Sequence, residues 1–106
     1  MTDAIQRARQ VAKNVLAGQY DPLLACREIA DIRDQLPAIA NEVMDVFVAV
    51  ASEVDDLPIG PERANWSAES LRVKDLEAAN YREQVRAQIG QALQDLLEAI
   101  AKESHS

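Results

Sequence analysis

Apolar residues return every three to four positions along most of this chain, in four separate runs. The first, over about 3–17, places Ile5, Ala8, Ala12, Val15 and Leu16 on one side of a helix, with Gly18 as its C-terminal stop. In the second, over about 22–36, Ala25, Ile29, Ile32 and Leu36 form an i, i+4, i+7, i+11 stripe. Asp21 is positioned to cap that helix, Pro22 suits its first turn, and Pro37 ends it or begins the next. The third run, about 38–56, has the cleanest stripe: Ile39, Val43, Val46, Phe47, Val50 and Val54 fall within a sector of about 100°. Its β-branched stretch VFVAV also suits a strand, but the helical spacing persists for too long. The fourth, about 68–102, begins after Ser67 as N-cap and carries Ala78, Val85, Ile89, Leu93, Leu96 and Ile100.

That last helix outruns the other three, which predicts a break or an overhang in its first half, SAESLRVKDLEAANY, folding over the 57–66 connection. Arg82 shares the face of Ala78 and Val85, where it either snorkels at the core edge or neutralises an acid of the third helix. The pattern as a whole predicts an all-α fold: a single domain, 1–106, built as an antiparallel four-helix bundle with a rigid Pro/Gly-containing connection between helices 3 and 4.

Composition narrows the chemistry. Aromatic residues make up only 4% of the chain, so the core must come from Leu, Ile, Val and Ala. The lone Cys26 follows Leu23, Leu24 and Ala25 and reads as a small apolar packing residue; no cysteine partner is present for a disulfide or a zinc site. The single histidine, His105, lies in a polar tail, which leaves the serines without a base in the bundle. The N-terminal stretch lacks a signal-peptide apolar core and no apolar run approaches membrane length, so a cytoplasmic protein is expected. The net charge of −7 is uneven: residues 1–27 carry +2, residues 28–62 carry −8, and residues 63–106 carry −1. An acidic middle third disfavours nucleic acid and anionic membranes, and favours a basic protein partner or a cation.

A cation reading has specific residues behind it. Glu28/Asp31 and Glu42/Asp45 are two E-x-x-D turns, and i, i+3 spacing aims paired carboxylates in one direction, as Mg²⁺ requires. These turns are similar to the acidic turns of the MazG-type all-α nucleotide pyrophosphohydrolases. That resemblance implies magnesium as cofactor and metal-dependent hydrolysis of nucleotides. It covers the two turns alone, and the chain lacks the double-Glu turn and the phosphate-binding lysine expected with them. Against it stands an ordinary solvated acidic face with no cofactor.

The stretch SEVDDLPIGPERANWSAESL, Ser52–Leu71, holds two of the four prolines, one of the three glycines and the only tryptophan. Pro58 forbids continuation of the third helix, Gly60 permits a turn, and Pro61 stiffens the crossing. Arg63 is the only base near Glu53, Asp55, Asp56 and Glu62, and Trp66 sits where a hydrophobic staple would pack on Ser70, Leu71 or the bundle end. Two readings follow. Arg63 ties the connection to the acids while Trp66 seals it, or Glu53, Asp55, Asp56, Arg63 and Trp66 form a binding patch with the residue mix of an interface hot spot.

Ser52, Glu53, Asp55, Leu57, Pro58, Gly60, Arg63 and Trp66, followed by Leu71, Lys74 and Asp75, resemble the Ser-Glu-Thr-Asp-x-Leu-Pro-x-Gly-x-x-Arg-x-x-Trp signature of a group of small, largely uncharacterised bacterial helical proteins. Val54 stands where that pattern has Thr. The match spans about a quarter of the chain and brings no activity with it. With the acidic charge, it suggests by analogy a non-enzymatic, protein-binding helical domain of the toxin-neutralising (immunity-like) or stress-locus accessory kind. The alternatives are the magnesium-dependent pyrophosphohydrolase and a structural helical dimer, leaving monomer and homodimer both open.

Overall fold

The computed structural model describes residues 3–36 and 41–105, and these are helical throughout apart from their connections. Four α-helices, α1 (Asp3–Leu16), α2 (Pro22–Asp31), α3 (Asn41–Glu53) and α4 (Ala68–His105), pack around one core. Pairing is most extensive between α2 and α3, and α4 lies against α1 and α3 and more lightly against α2. Short 3₁₀ turns occupy Arg33–Gln35 and Pro61–Asn65.

Each helix end has a local cause. α1 stops because Gly18 takes a left-handed φ of 76°, which lets Gly18 N–H reach Val15 O at 2.9 Å and Gln19 N–H reach Asn14 O at 2.8 Å. That closure satisfies carbonyls which the helix end would otherwise leave open. α2 starts where the Asp21 carboxylate accepts from Leu23 N–H at 3.0 Å, with Pro22 in the first turn. α4 starts where Ser67 Oγ accepts from Ser70 N–H at 3.1 Å.

The core follows the predicted stripes, with differences at their edges. Ala8, Ala12, Ala25, Ile29, Phe47, Val50, Val54, Ile89, Leu93, Leu96 and Ile100 are buried, and Cys26 packs among them. Burial pushes the Cys26 thiol up to about 12, so it stays protonated and inert. Leu16 is exposed and Val11 is buried instead. Leu16 points roughly 100° from the centre of the inward set of α1, whereas Val11 lies within about 45° of it. Ile39 lies outside the described residues.

The helix ends differ from the sequence expectation more than the stripes do. α2 ends at Asp31, not near 36, because Ile32 leaves helical geometry and Leu36, preceding Pro37, is held extended with ψ of 157°. The expected start of the third helix at Ala38 lies outside the described residues. Its end comes at Glu53, three residues early. Val54–Asp56 are a turn tightened by an i→i+3 bond from Leu57 N–H to Val54 O at 3.0 Å, ahead of Pro58. The expected break in the fourth helix is absent: α4 runs for 38 residues, and its length accounts for the 51 Å long axis. No Pro or Gly falls between Ser67 and Gly90 to interrupt it. Its first half is an overhang, covered on the side of Ala78, Tyr81 and Val85 and open on the other. Among the described residues, no helix is long and apolar enough to cross a membrane.

Candidate functional site

The connection between α3 and α4 is held by guanidinium groups, and three arginines tie it and its flanking helices in a ring. From α2, Arg27 donates to Glu62 at 2.9 Å and to the carbonyl of Leu57 at 3.3 Å. Within the connection, Arg63 donates to both carboxylate oxygens of Asp75 on α4, at 2.6 and 3.1 Å, and to the carbonyl of Pro58 at 3.0 Å. From α4, Arg82 makes two parallel bonds to Asp21 at the start of α2, both 3.0 Å. A further pair joins α1 to α2, where a single nitrogen of Arg7, Nη2, donates to both oxygens of Glu28 at 2.8 and 2.9 Å. Planar guanidinium matched to planar carboxylate fixes orientation as well as distance. Arg63 holds the Asp75 carboxyl below its usual range. The Glu62 carboxyl is also lowered, first by its own backbone N–H, with the Arg27 guanidinium adding to the effect.

Two sequence expectations are corrected here. Arg63 does not tie the connection to Glu53, Asp55 or Asp56; it turns the other way, onto Asp75, because its backbone lies in the Pro61–Asn65 turn that leads into α4. The tie to α2 is made instead by Arg27, a residue with no signal in the sequence to single it out. Arg82 does not neutralise an acid of α3; its partner is the capping Asp21, 61 residues away.

Gly60 also has a different reason from the one expected. Its φ of −124° is open to other residues, so backbone freedom is not what it supplies. A Cβ there would stand 3.0 Å from Arg27 Nη1 and 3.0 Å from Glu62 Oε1. Glycine thus leaves room for the Arg27–Glu62 pair, while its own N–H donates to Glu62 at 3.3 Å. Gly60→Ala is expected to lower stability by about 1 kcal/mol in the wild-type chain. In an Arg27→Met, Glu62→Ala background, which removes both close neighbours, the same change should be neutral or mildly stabilising, since Ala then only restricts the unfolded chain. Urea melts of the four variants in this cycle measure the difference; a Gly60→Ala cost that persists without both side chains rules the steric explanation out.

With the arginines so committed, the acids at the end of α3 are left alone. Glu53, Asp55 and Asp56 are exposed, and none forms an ion pair among the described residues. The last turn of α3 contains no base. Three carboxylates therefore sit at the helix end whose backbone carbonyls already give it partial negative charge. Glu53 is close enough to Tyr81 of α4 that its charge, after burial, contributes to pushing the phenol up. Trp66 lies at the far end of the 3₁₀ turn, its N–H bonded to Arg63 O at 3.1 Å, and 36% of it is open to solvent. It is outside the core cluster, so it neither seals the bundle nor stands fully free.

The residues of the magnesium reading are separated in role. Glu28 is held by Arg7. Asp31 and Asp45 are exposed, and the side chain of Glu42 lies outside the described residues. Among the described residues, no three His, Cys, Asp or Glu side chains are gathered closely enough to hold a metal ion. A groove of about 510 Å³ opens between α3 and α4, lined by Val43, Val46, Gln88, Gln91, Ala92 and Asp95. It lies along the earlier turns of α3, away from the acids at its end. Comparison of the chain with protein-family models, with curated proteins and with solved structures finds no match in any of the three.

Proposed function

We propose that this chain is a non-enzymatic, protein-binding helical domain that meets a basic partner through the acidic end of α3 and the connection that follows it. The observation that carries this reading is the set of carboxylates at Glu53, Asp55 and Asp56, without an ion pair among the described residues and placed at a helix C-terminus where they oppose the fold's own electrostatics. Nearby arginines exist and are spent on other acids, so the negative charge is left facing outward. Arg63 and Trp66 belong to the same surface: Arg63 fixes the course of the connection, and the part-exposed indole supplies the apolar anchor that charge alone lacks. In this reading the four helices run antiparallel, as their short connections favour, and the rigid connection presents the patch at one end of the bundle. A toxin-neutralising or stress-locus accessory role in the cytoplasm fits such a surface, because acidic inhibitors gain association rate by steering and affinity from a few buried anchors.

Capture from an extract of the native host tests it. The wild-type chain is expected to retain a basic protein at low salt and release it as salt rises, since screening shortens the reach of surface charge. Trp66→Ala combined with Glu53→Gln should lose the same protein at both ends of the salt range. Retention that ignores salt and the double substitution alike refutes the proposal.

A further inference from the structure

The first half of α4 exposes Val73 and Leu76, 59% and 66% open to solvent and the most exposed of the large apolar side chains described. They belong to a longer pattern. Val73, Leu76, Asn80, Glu83 and Ala87 follow one another at intervals of three and four, and all five are exposed. That is the spacing of a coiled-coil seam, with Val73, Asn80 and Ala87 at one heptad position and Leu76 and Glu83 at the other. A β-branched residue at the first position with Leu at the second favours a two-stranded parallel pair, and a polar Asn at the first position fixes register.

The flanking charges carry the same geometry. Arg72 and Glu77 border the seam on opposite sides, five residues apart, which is the offset that brings a residue of one helix beside a residue of its parallel copy. Both are exposed, and Arg72 makes no ion pair within the described residues of its own chain. Within the described residues, Glu77 is met only by Lys74 on the same helix, at 3.2 Å. Charge also says which occupant the face suits. Residues 68–88 carry four acids and four bases, a net charge of zero within a chain of −7. A basic partner gains nothing here, while a second copy meets this face without the repulsion its acidic middle third would impose.

We propose that the outer face of α4 pairs with the same face of a second copy of this chain, as a parallel two-stranded seam centred on Leu76 and Asn80 and flanked by two Arg72–Glu77 pairs related by the two-fold axis. Glu83 at a seam position limits the apolar contact to one or two layers, which makes the dimer weak and concentration-dependent. The proposal is independent of the acidic patch on α3.

Sedimentation equilibrium of the full chain from about 1 µM to about 1 mM should follow a rise from the 11.7 kDa monomer toward twice that mass. Val73→Glu with Leu76→Glu, both at exposed positions and checked for unchanged helicity, should remain monomeric throughout. Arg72→Glu alone should weaken association by roughly tenfold, and Arg72→Glu with Glu77→Arg should restore it. In an oxidant, Ala87→Cys should link to itself across the axis, while Ala49→Cys on exposed α3 should not; the buried Cys26 does not compete. A monomer across the whole range overturns the proposal, as does a dimer that survives the double Glu substitution. Failure of the charge swap to restore pairing, or of Ala87→Cys to link, overturns the parallel register.

Discussion

Asp21→Ala is expected to cost about 2–3 kcal/mol, the largest loss of stability from any single polar side chain in this fold. One carboxylate does two jobs there. It caps α2 by accepting from Leu23 N–H, and it is the partner of both forks of Arg82, with each side chain 28% exposed. Loss of a cap costs about 1 kcal/mol. Leaving a half-buried guanidinium without its acceptor adds about 1–2 kcal/mol, more than a fully exposed pair would yield. Against a total of about 5–15 kcal/mol for a domain of this size, the change is a large fraction. Asp21→Asn separates the two roles, since Asn also caps well: it should cost about half as much as Ala. Urea denaturation of wild type, Asp21→Ala, Asp21→Asn and Arg82→Met reads both terms. If Asp21→Asn costs as much as Asp21→Ala, the cap contributes nothing and the ion pair carries the whole effect. If Asp21→Ala stays within about 0.5 kcal/mol of wild type, the link between α2 and α4 is not a structural tie.

The helices were legible because burial repeats with the helical period, and a stripe such as Phe47, Val50 and Val54 has only one way to face a core. Their ends were less so. Proline restricts the residue before it, so Pro37 and Pro58 set only the outer limit of α2 and α3, which stop several residues earlier at Asp31 and Glu53. The length of α4 invited a break that no local residue demands. At the site, the identity of the acids was plain from Glu53, Asp55 and Asp56 themselves, but the destination of each arginine was not. Arg27 reaches 35 residues along the chain and Arg82 reaches 61, and separations of that size depend on packing rather than on local pattern. Arg63 was read toward the acids beside it in the sequence, and its bond to Asp75, 12 residues on, was not legible either. Gly60 shows the same division. That a glycine was needed in the connection could be read; that it makes room for a guanidinium from another helix could not.

In the proposed function, Glu53, Asp55 and Asp56 are kept for an outside partner and contribute nothing favourable to the fold. Residues that oppose the electrostatics of their own helix end are the ones where function and stability pull apart. Neutralising them therefore separates the two. The variant Glu53→Gln, Asp55→Asn, Asp56→Asn removes three like charges from the carbonyl end of α3 without changing side-chain shape. Its stability should rise by about 1 kcal/mol at low ionic strength. Salt should give the wild type much of the same gain by screening and give the variant little. The same variant should lose any basic partner that the wild-type chain retains. The decisive measurement is the urea midpoint of this variant against wild type at low salt, read by far-UV circular dichroism with the slope unchanged. A midpoint above wild type is the predicted result. A midpoint below it means that the three carboxylates hold the fold together, and the end of α3 is then a structural element rather than a binding surface.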